Sequence, residues 1–66
     1  MTRKQLEAAI GKRVECKVYP DGFRSAGWWD DYSGVLESVG DVMHPVRLDD
    51  GTVRRFTSRE IREVLP

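Results

Sequence analysis

The chain of 66 residues contains one cysteine and one histidine, and this shortage limits how it can fold. One cysteine cannot form an internal disulfide, and one cysteine with one histidine cannot build a structural zinc site. Ordering costs about 1.5 kcal/mol per residue, so small domains usually need such a staple or a very efficient core. The chain must therefore gain its stability from the packing of secondary structure, and we expect neither a metal nor a cofactor.

Basic and acidic residues are equal in number, with eleven of each, but they are unevenly distributed. The net charge is +3 over residues 1–24, −5 over residues 25–53 and +2 over residues 54–66. Overall neutrality argues against a polybasic coat for nucleic acid. The separation of charge fits either cross-strand pairing within one sheet or a dipolar surface that orients a charged partner.

The hydropathy of the chain gives no sign of a membrane protein. No apolar run approaches the ~20 residues of a membrane span, and no signal peptide opens the chain. We therefore expect a cytoplasmic protein without a membrane partner. Its small size suggests a bacterial or phage origin, and the sequence leaves the oligomeric state open.

The first residues predict a short helix. Thr2 and Gln5 have the spacing of a capping box, in which each side chain bonds to the backbone N–H of the other residue. Leu6 and Ile10 fall on one face at helical spacing, which predicts that both are buried. Gly11 ends the pattern because it can take a positive φ without a Cβ clash.

After the helix the apolar period changes to two, which is typical of strands. Pro20 and Gly22 begin a loop that we predict over residues 20–27. The sequence DDGT at residues 49–52 is the clearest hairpin signal, and residues 58–61 resemble one helical turn capped by Ser58. The predicted strands cover residues 13–18, 33–39, 42–48, 53–57 and 62–65.

One helix followed by five short strands predicts a single, mostly β domain over residues 1–66, with the helix at 1–11 and a small antiparallel barrel at 12–66. Closure of the barrel would cover the sheet edges. We interpret Cys16 as a core thiol and His44 as a histidine at the barrel end. The predicted core is one tryptophan together with Leu6, Ile10, Val14, Cys16, Val18, Leu36, Val46, Leu48, Phe56, Ile61 and Val64.

Residues 32–64 resemble the Tudor branch of the SH3-like barrels. The similar segments are YSGVLESV at 32–39, GD at 40–41, VRLDDGT at 46–52, Phe56 and IREV at 61–64. The resemblance implies a five-stranded SH3-like barrel. Tudor domains that bind methylated lysine or arginine surround the cation with aromatic rings, but Leu48, Asp50 and Thr52 replace the family's Phe, Tyr and Asn.

The segment GTVRRF at residues 51–56 also resembles the plasmid-type dihydrofolate reductase, another small SH3-like barrel, whose strand lines a pore shared by four subunits. Arg54, Arg55 and Phe56 replace that family's Gln, Ile and Tyr. Eight arginines in such a pore would be costly without an anionic ligand, so this oligomeric enzyme is a remote alternative.

Aromatic and acidic residues before the second strand form the leading candidate site. Alternation back from an inward Tyr32 places Trp28 inward and Trp29 outward, with Asp30 inward at the open end of the barrel. Exposed aromatic residues are enriched at binding hot spots, and a proline-rich or cationic peptide would suit this surface. The predicted partner-binding residues are Phe23, Trp28, Trp29, Asp30, Asp31 and Tyr32.

Nucleic acid is the alternative partner. Lys17, Arg54 and Arg55 are the candidate contacts, because arginine beside aromatic rings is a feature of single-strand binding. Pairing with nearby carboxylates is the competing interpretation of these charges. No spacing indicates a nucleophile with its base or a phosphate loop, so we expect no catalytic residues, and a protein or peptide is the favoured partner.

Overall fold

The computed structural model of the protein describes residues 1–19 and 29–66. In this part of the chain a short helix precedes five strands that form one antiparallel sheet, which confirms the predicted fold class. The predicted loop at 20–27 lies outside the described residues. The elements are α1 (Arg3–Ala9), β1 (Arg13–Val18), β2 (Asp30–Leu36), β3 (Met43–Leu48), β4 (Val53–Thr57) and β5 (Ile61–Val64).

Helix α1 begins at the predicted capping box. Thr2 Oγ1 accepts a hydrogen bond from the Gln5 N–H at 3.2 Å, and Gln5 Oε1 accepts one from the Thr2 N–H at 2.8 Å. Both donors would otherwise lack a partner in the first turn. After the helix, Gly11 takes a φ of 82° and donates its N–H to the carbonyl of Leu36 at 2.8 Å. This bond holds the helix exit against the end of β2.

The hairpin between β3 and β4 forms at the predicted DDGT sequence. The Gly51 N–H bonds to the Leu48 carbonyl at 2.9 Å, and the Leu48 N–H bonds to the Thr52 carbonyl at 2.8 Å. Gly51 has a φ of 90°, a conformation that glycine adopts without strain. The Asp50 carboxylate accepts hydrogen bonds from the Thr52 hydroxyl and N–H, and these bonds lower the pKa of Asp50.

The core lies between α1 and one face of the sheet. Val18 and Leu48 are partly buried against it, as expected for inward positions. Eight hydrophobic residues are fully or almost fully buried: Leu6, Ala9, Val14, Cys16, Leu36, Val46, Phe56 and Ile61.

Two predicted core residues are wrong. Ile10 is 45% exposed because the helix ends at Ala9 and Ile10 is its C-cap, after which the chain leaves the helical path. Ala9 occupies the buried position instead. Val64 is 40% exposed although the register shift in β5 places it opposite the buried Val14. It lies at the end of a terminal strand that pairs with β1 alone, and Ile61 is the one buried residue of β5.

Several element boundaries differ from the prediction. Strand β2 covers Asp30–Leu36 rather than 33–39 because it pairs along the whole of β1, from Arg13 with Val35 to Val18 with Asp30. The turn at 58–60 is capped by Thr57 rather than Ser58. Thr57 Oγ1 accepts from the Glu60 N–H at 3.4 Å, and the Thr57 N–H donates to Glu60 Oε1 at 2.8 Å.

The sheet is not closed, which differs from the expected barrel closure. Its strand order is β4-β3-β2-β1-β5, so β4 and β5 each pair with one strand only. The short turn at 58–60 leads directly from β4 into β5, and β5 then pairs with β1 at the far side of the sheet. Both terminal strands therefore keep one free edge in the described structure.

Candidate interaction surface

The structure divides the predicted aromatic–acidic site between two faces of the sheet. Trp29, Asp30 and Asp31 are exposed at the start of β2, whereas Tyr32 is half-buried against the core. Asp30 was expected to point inward at the open end of the fold, and the register places it in phase with Tyr32 and opposite Val18, on the face that carries the core. It lies at the end of the ladder opposite Val18, beyond the buried core. Phe23 and Trp28 lie outside the described residues.

Trp29 is the centre of a group of side chains on the outer face. The residue is 40% exposed, and its Nε1–H donates to Asp31 Oδ1 at 2.9 Å. The Tyr19 ring meets it edge-on, with centroids 6.0 Å apart and an interplanar angle of 73°. Such an edge-to-face pair is a favourable arrangement of two rings. We call Trp29, Tyr19, Asp31, Lys17 and Glu15 the Trp29 cluster.

The ammonium group of Lys17 lies inside the Trp29 cluster. Lys17 Nζ is 4.3 Å from the centroid of the Trp29 ring, 3.5 Å from Asp31 Oδ1 and 3.7 Å from Glu15 Oε1. The register explains this contact, because Lys17 is directly opposite Asp31 in the β1–β2 ladder. One ring face and two carboxylates thus surround a cation. The two carboxylates outnumber the ammonium, so the cluster has a net charge of −1.

Tyr32 belongs to a different contact on the inner face. Arg54 donates from Nη1 to the Tyr32 hydroxyl at 2.9 Å, and its guanidinium lies 4.5 Å from the Tyr32 ring centroid. The buried Phe56 ring extends this contact, at 5.6 Å from Tyr32 and 5.7 Å from the guanidinium. Tyr32 therefore connects Arg54 to the core and does not share a pocket with Trp29.

The three candidate nucleic-acid contacts do not come together. Lys17 is on β1 within the Trp29 cluster, whereas Arg54 and Arg55 are on β4, with β2 and β3 between them. As neighbours in a strand, Arg54 and Arg55 project from opposite faces. Arg55 is exposed and forms no ion pair with any residue that the structure describes.

His44 is a buried structural residue, only 1% exposed. Its Nδ1 accepts from the Gly40 N–H at 3.1 Å, and its Nε2 lies 2.9 Å from Ser58 Oγ. Arg3 donates to the Gly40 carbonyl at 2.9 Å, and the Met1 ammonium donates to the Ser58 carbonyl at 2.7 Å. Burial lowers the pKa of His44, and the charges of Arg3 and the N-terminus lower it further. With both ring nitrogens occupied, His44 joins β3 to Gly40 before it and to the turn that follows β4.

Cys16 is fully buried, as a core thiol should be. Burial raises its pKa to about 12, and the negative charges of Glu60 and Glu15 act in the same direction. The thiolate is the reactive form of cysteine, so this side chain stays protonated and inert at neutral pH. Residues 1–19 and 29–66 contain no group of side chains that could hold a metal ion.

Sequence reasoning missed two members of the Trp29 cluster, Tyr19 and Glu15. Their contribution depends on the register between β1 and β2, which are joined by a long connection that carries no register signal of its own. The alternation of charges in β1 placed Lys17 and Glu15 on one face, but not beside Trp29.

No protein family, curated protein or solved structure matches this chain. Among the residues described, there is no helix with the length and apolar character needed to cross a membrane.

Proposed function

We propose that this protein is a non-enzymatic interaction module that binds a basic segment of a partner protein through the Trp29 cluster. The observation that carries the proposal is the position of Lys17, whose ammonium lies over the Trp29 ring and beside Asp31. This surface thus already binds one cation, the ammonium group of the chain's own Lys17. A cytoplasmic location and membership of the Tudor branch of SH3-like barrels are parts of the same proposal.

The accessible part of the Trp29 cluster supports binding of a second cation. The Asp31 side chain is 62% exposed, and Trp29 is 40% exposed. A partner's lysine or arginine could meet this ring and carboxylate, either beside Lys17 or in its place. Such a contact combines cation–π attraction with a charge-assisted hydrogen bond.

Calorimetric titration with two synthetic peptides tests the proposal. The basic peptide GKPKRG should bind, and its charge-reversed counterpart GEPEEG should not. Because aromatic hot spots dominate small interfaces, Trp29→Ala should weaken binding by ~10-fold or more. Asp31→Asn should weaken it less, since the ring remains.

The control variant is Val42→Ala, which truncates an exposed apolar side chain outside the cluster. It should bind the basic peptide like the wild-type protein. Equal affinity of the wild-type protein and Trp29→Ala for GKPKRG would refute the proposal.

A single-stranded oligonucleotide tests the nucleic-acid alternative in the same instrument. Binding to phosphates weakens steeply between about 50 and 200 mM salt because counterions are released. Binding that shows this salt dependence and is lost in Arg55→Glu, but not in Trp29→Ala, would replace the peptide proposal with the nucleic-acid one.

A further inference from the structure

Strand β4 is a terminal strand of the sheet, and β3 is its one partner among the described strands. Val53 is 51% exposed, and Arg54 and Arg55 are exposed as well. An unpaired strand edge is a template for another strand, because its backbone donors and acceptors lack partners. The edge of β4 is therefore a second surface to consider, separate from the Trp29 cluster.

The hydrogen-bond pattern of the β3–β4 hairpin determines which backbone groups face outward. The Leu48 N–H bonds to the Thr52 carbonyl, so the backbone groups of these two residues point toward each other across the β3–β4 ladder. Hydrogen-bonded and non-hydrogen-bonded pairs alternate along an antiparallel ladder. The backbone N–H and C=O groups of Arg54 therefore point toward β3, and those of Val53 and Arg55 point away from it.

Pro45 confirms this alternation independently. It is opposite Arg55 in the register, where no hydrogen bond to β4 is required, and a proline has no N–H to donate. Its carbonyl instead accepts from the Glu37 N–H at 3.0 Å, on the side away from β4. At the end of the strand, the Thr57 N–H and carbonyl are already bonded to Glu60.

The open part of the edge therefore consists of the N–H and C=O groups of Val53 and Arg55. No backbone hydrogen bond from either residue to another described segment is present beyond the β3 ladder. Two donors and two acceptors at alternate residues are what one added strand requires.

Charge identifies the kind of strand that fits this edge. Arg55, Arg59 and Arg62 have no ion-pair partner in the part of the chain that the structure describes. Beyond the end of β4, an open cleft of about 440 Å³ is lined by Met1, Arg59, Ile61 and Arg62. The side chains of β4 and of the residues that follow it thus carry unpaired positive charge, which would attract an acidic segment.

A second copy of β4 fits this edge poorly. Antiparallel pairing of two β4 strands would bring the Arg54 and Arg55 side chains of both copies together. Like charges directly opposite each other destabilise a strand pair. The sequence of β4 therefore disfavours the simplest form of dimerisation through this edge.

We propose that the β4 edge binds an extended acidic segment of a partner protein by strand addition. The segment pairs with the backbone of Val53 and Arg55, and its carboxylates contact the Arg55 and Arg59 side chains. This site differs from the Trp29 cluster in position and in the sign of the charge that it accepts, so it stands or falls independently of the proposed function.

Amide hydrogen exchange measured by NMR tests this proposal. The probe is the blocked peptide TEVEVET, and the comparison peptide is TKVKVKT. TEVEVET should slow exchange of the Val53 and Arg55 amides. The Arg54 and Phe56 amides, which already face β3, should change little. N-methylation of alternate peptide amides should abolish the effect, because it removes the strand's donors.

Two protein variants separate backbone pairing from charge. Val53→Pro removes an outward N–H and leaves the β3 ladder intact, so the fold should persist and TEVEVET should bind more weakly. Arg55→Glu should abolish binding of TEVEVET. The matched charge reversal Lys12→Glu, at an exposed residue outside the sheet, should not.

Three results would overturn the proposal. The first is unchanged exchange at Val53 and Arg55 with about 1 mM TEVEVET, the weak end of specific affinity. The second is equal protection by TKVKVKT. The third is protection that rises with protein concentration in the absence of peptide, which would show that a second copy covers the edge.

Discussion

In the described part of the chain, a cation lies over an aromatic ring on each of the two faces of the sheet. On the outer face, Lys17 lies 4.3 Å from the centroid of Trp29, beside two carboxylates. On the inner face, Arg54 lies 4.5 Å from the centroid of Tyr32 and bonds to its hydroxyl. Tyr32 packs in turn on the fully buried Phe56.

The difference between these contacts lies in what supports them. The inner contact rests on the core, so changes beneath it should unfold the domain. The outer contact rests on exposed side chains and has a surplus of negative charge, so changes there should alter binding with little effect on the fold. A contact that supports the core and a contact that we propose for binding can therefore have the same local geometry.

Phe56→Ala should have the largest effect on stability. Truncation of a fully buried aromatic residue costs about 3–5 kcal/mol, which is close to the whole stability of a domain this small. Circular dichroism should show this variant largely unfolded at 25 °C. The matched truncation Trp29→Ala should stay within about 1 kcal/mol of the wild-type protein in urea unfolding. Equal destabilisation of the two variants would erase the distinction between the contacts.

Acid should lower the free energy of unfolding through His44, which is opposite Phe56 in the β3–β4 ladder. Burial holds the pKa of His44 below its ordinary value of 6.5, so the unfolded chain binds the proton more tightly. His44 therefore contributes stability above pH 6.5, and this contribution is lost as the pH falls toward the folded-state pKa. One proton gives a slope of at most about 1.4 kcal/mol per pH unit.

Urea unfolding between pH 7.5 and 5 measures the effect of His44. His44→Gln should be less stable at neutral pH but should show a flatter pH dependence than the wild-type protein. If both proteins show the same slope, the loss of stability arises from other groups and the account of His44 is wrong.

Salt should distinguish the outer contact from the inner one, with a smaller change in free energy than the Phe56 substitution gives. A double-mutant cycle on Lys17→Met and Asp31→Asn should give about 0.2–1 kcal/mol of coupling, typical of exposed ion pairs. In ~1 M salt the Debye length falls to about 3 Å, and this coupling should largely disappear. The coupling between Arg54→Met and Tyr32→Leu should persist because no second charge is involved. The same loss in both cycles would contradict the comparison.

The sequence predicts the parts of the fold that depend on local chemistry. The Thr2 capping box, the DDGT hairpin and the alternation of Val14 and Cys16 each depend on a few neighbouring residues, and each is confirmed. Ile10 and Val64 were predicted wrongly because their exposure depends on where the helix ends and on which strand lies at the edge of the sheet.

The candidate site is less predictable than the fold, for a related reason. The sequence indicates an exposed Trp29 beside acidic residues, and the structure places both at the surface. The contact of Lys17 with Trp29 depends on strand pairing across a long connection. The open edge of β4 depends on the arrangement of the whole sheet, which no local pattern encodes.

The indole Nε1–H of Trp29 provides the most direct test of the proposed function. In a ¹⁵N–¹H titration with GKPKRG, its resonance should shift progressively, because a bound cation would compete for the Asp31 carboxylate that this N–H contacts. Trp29→Phe assigns the signal by removing it. An indole resonance that stays fixed while amides elsewhere shift would show that the peptide binds at another surface, and the central claim would fail.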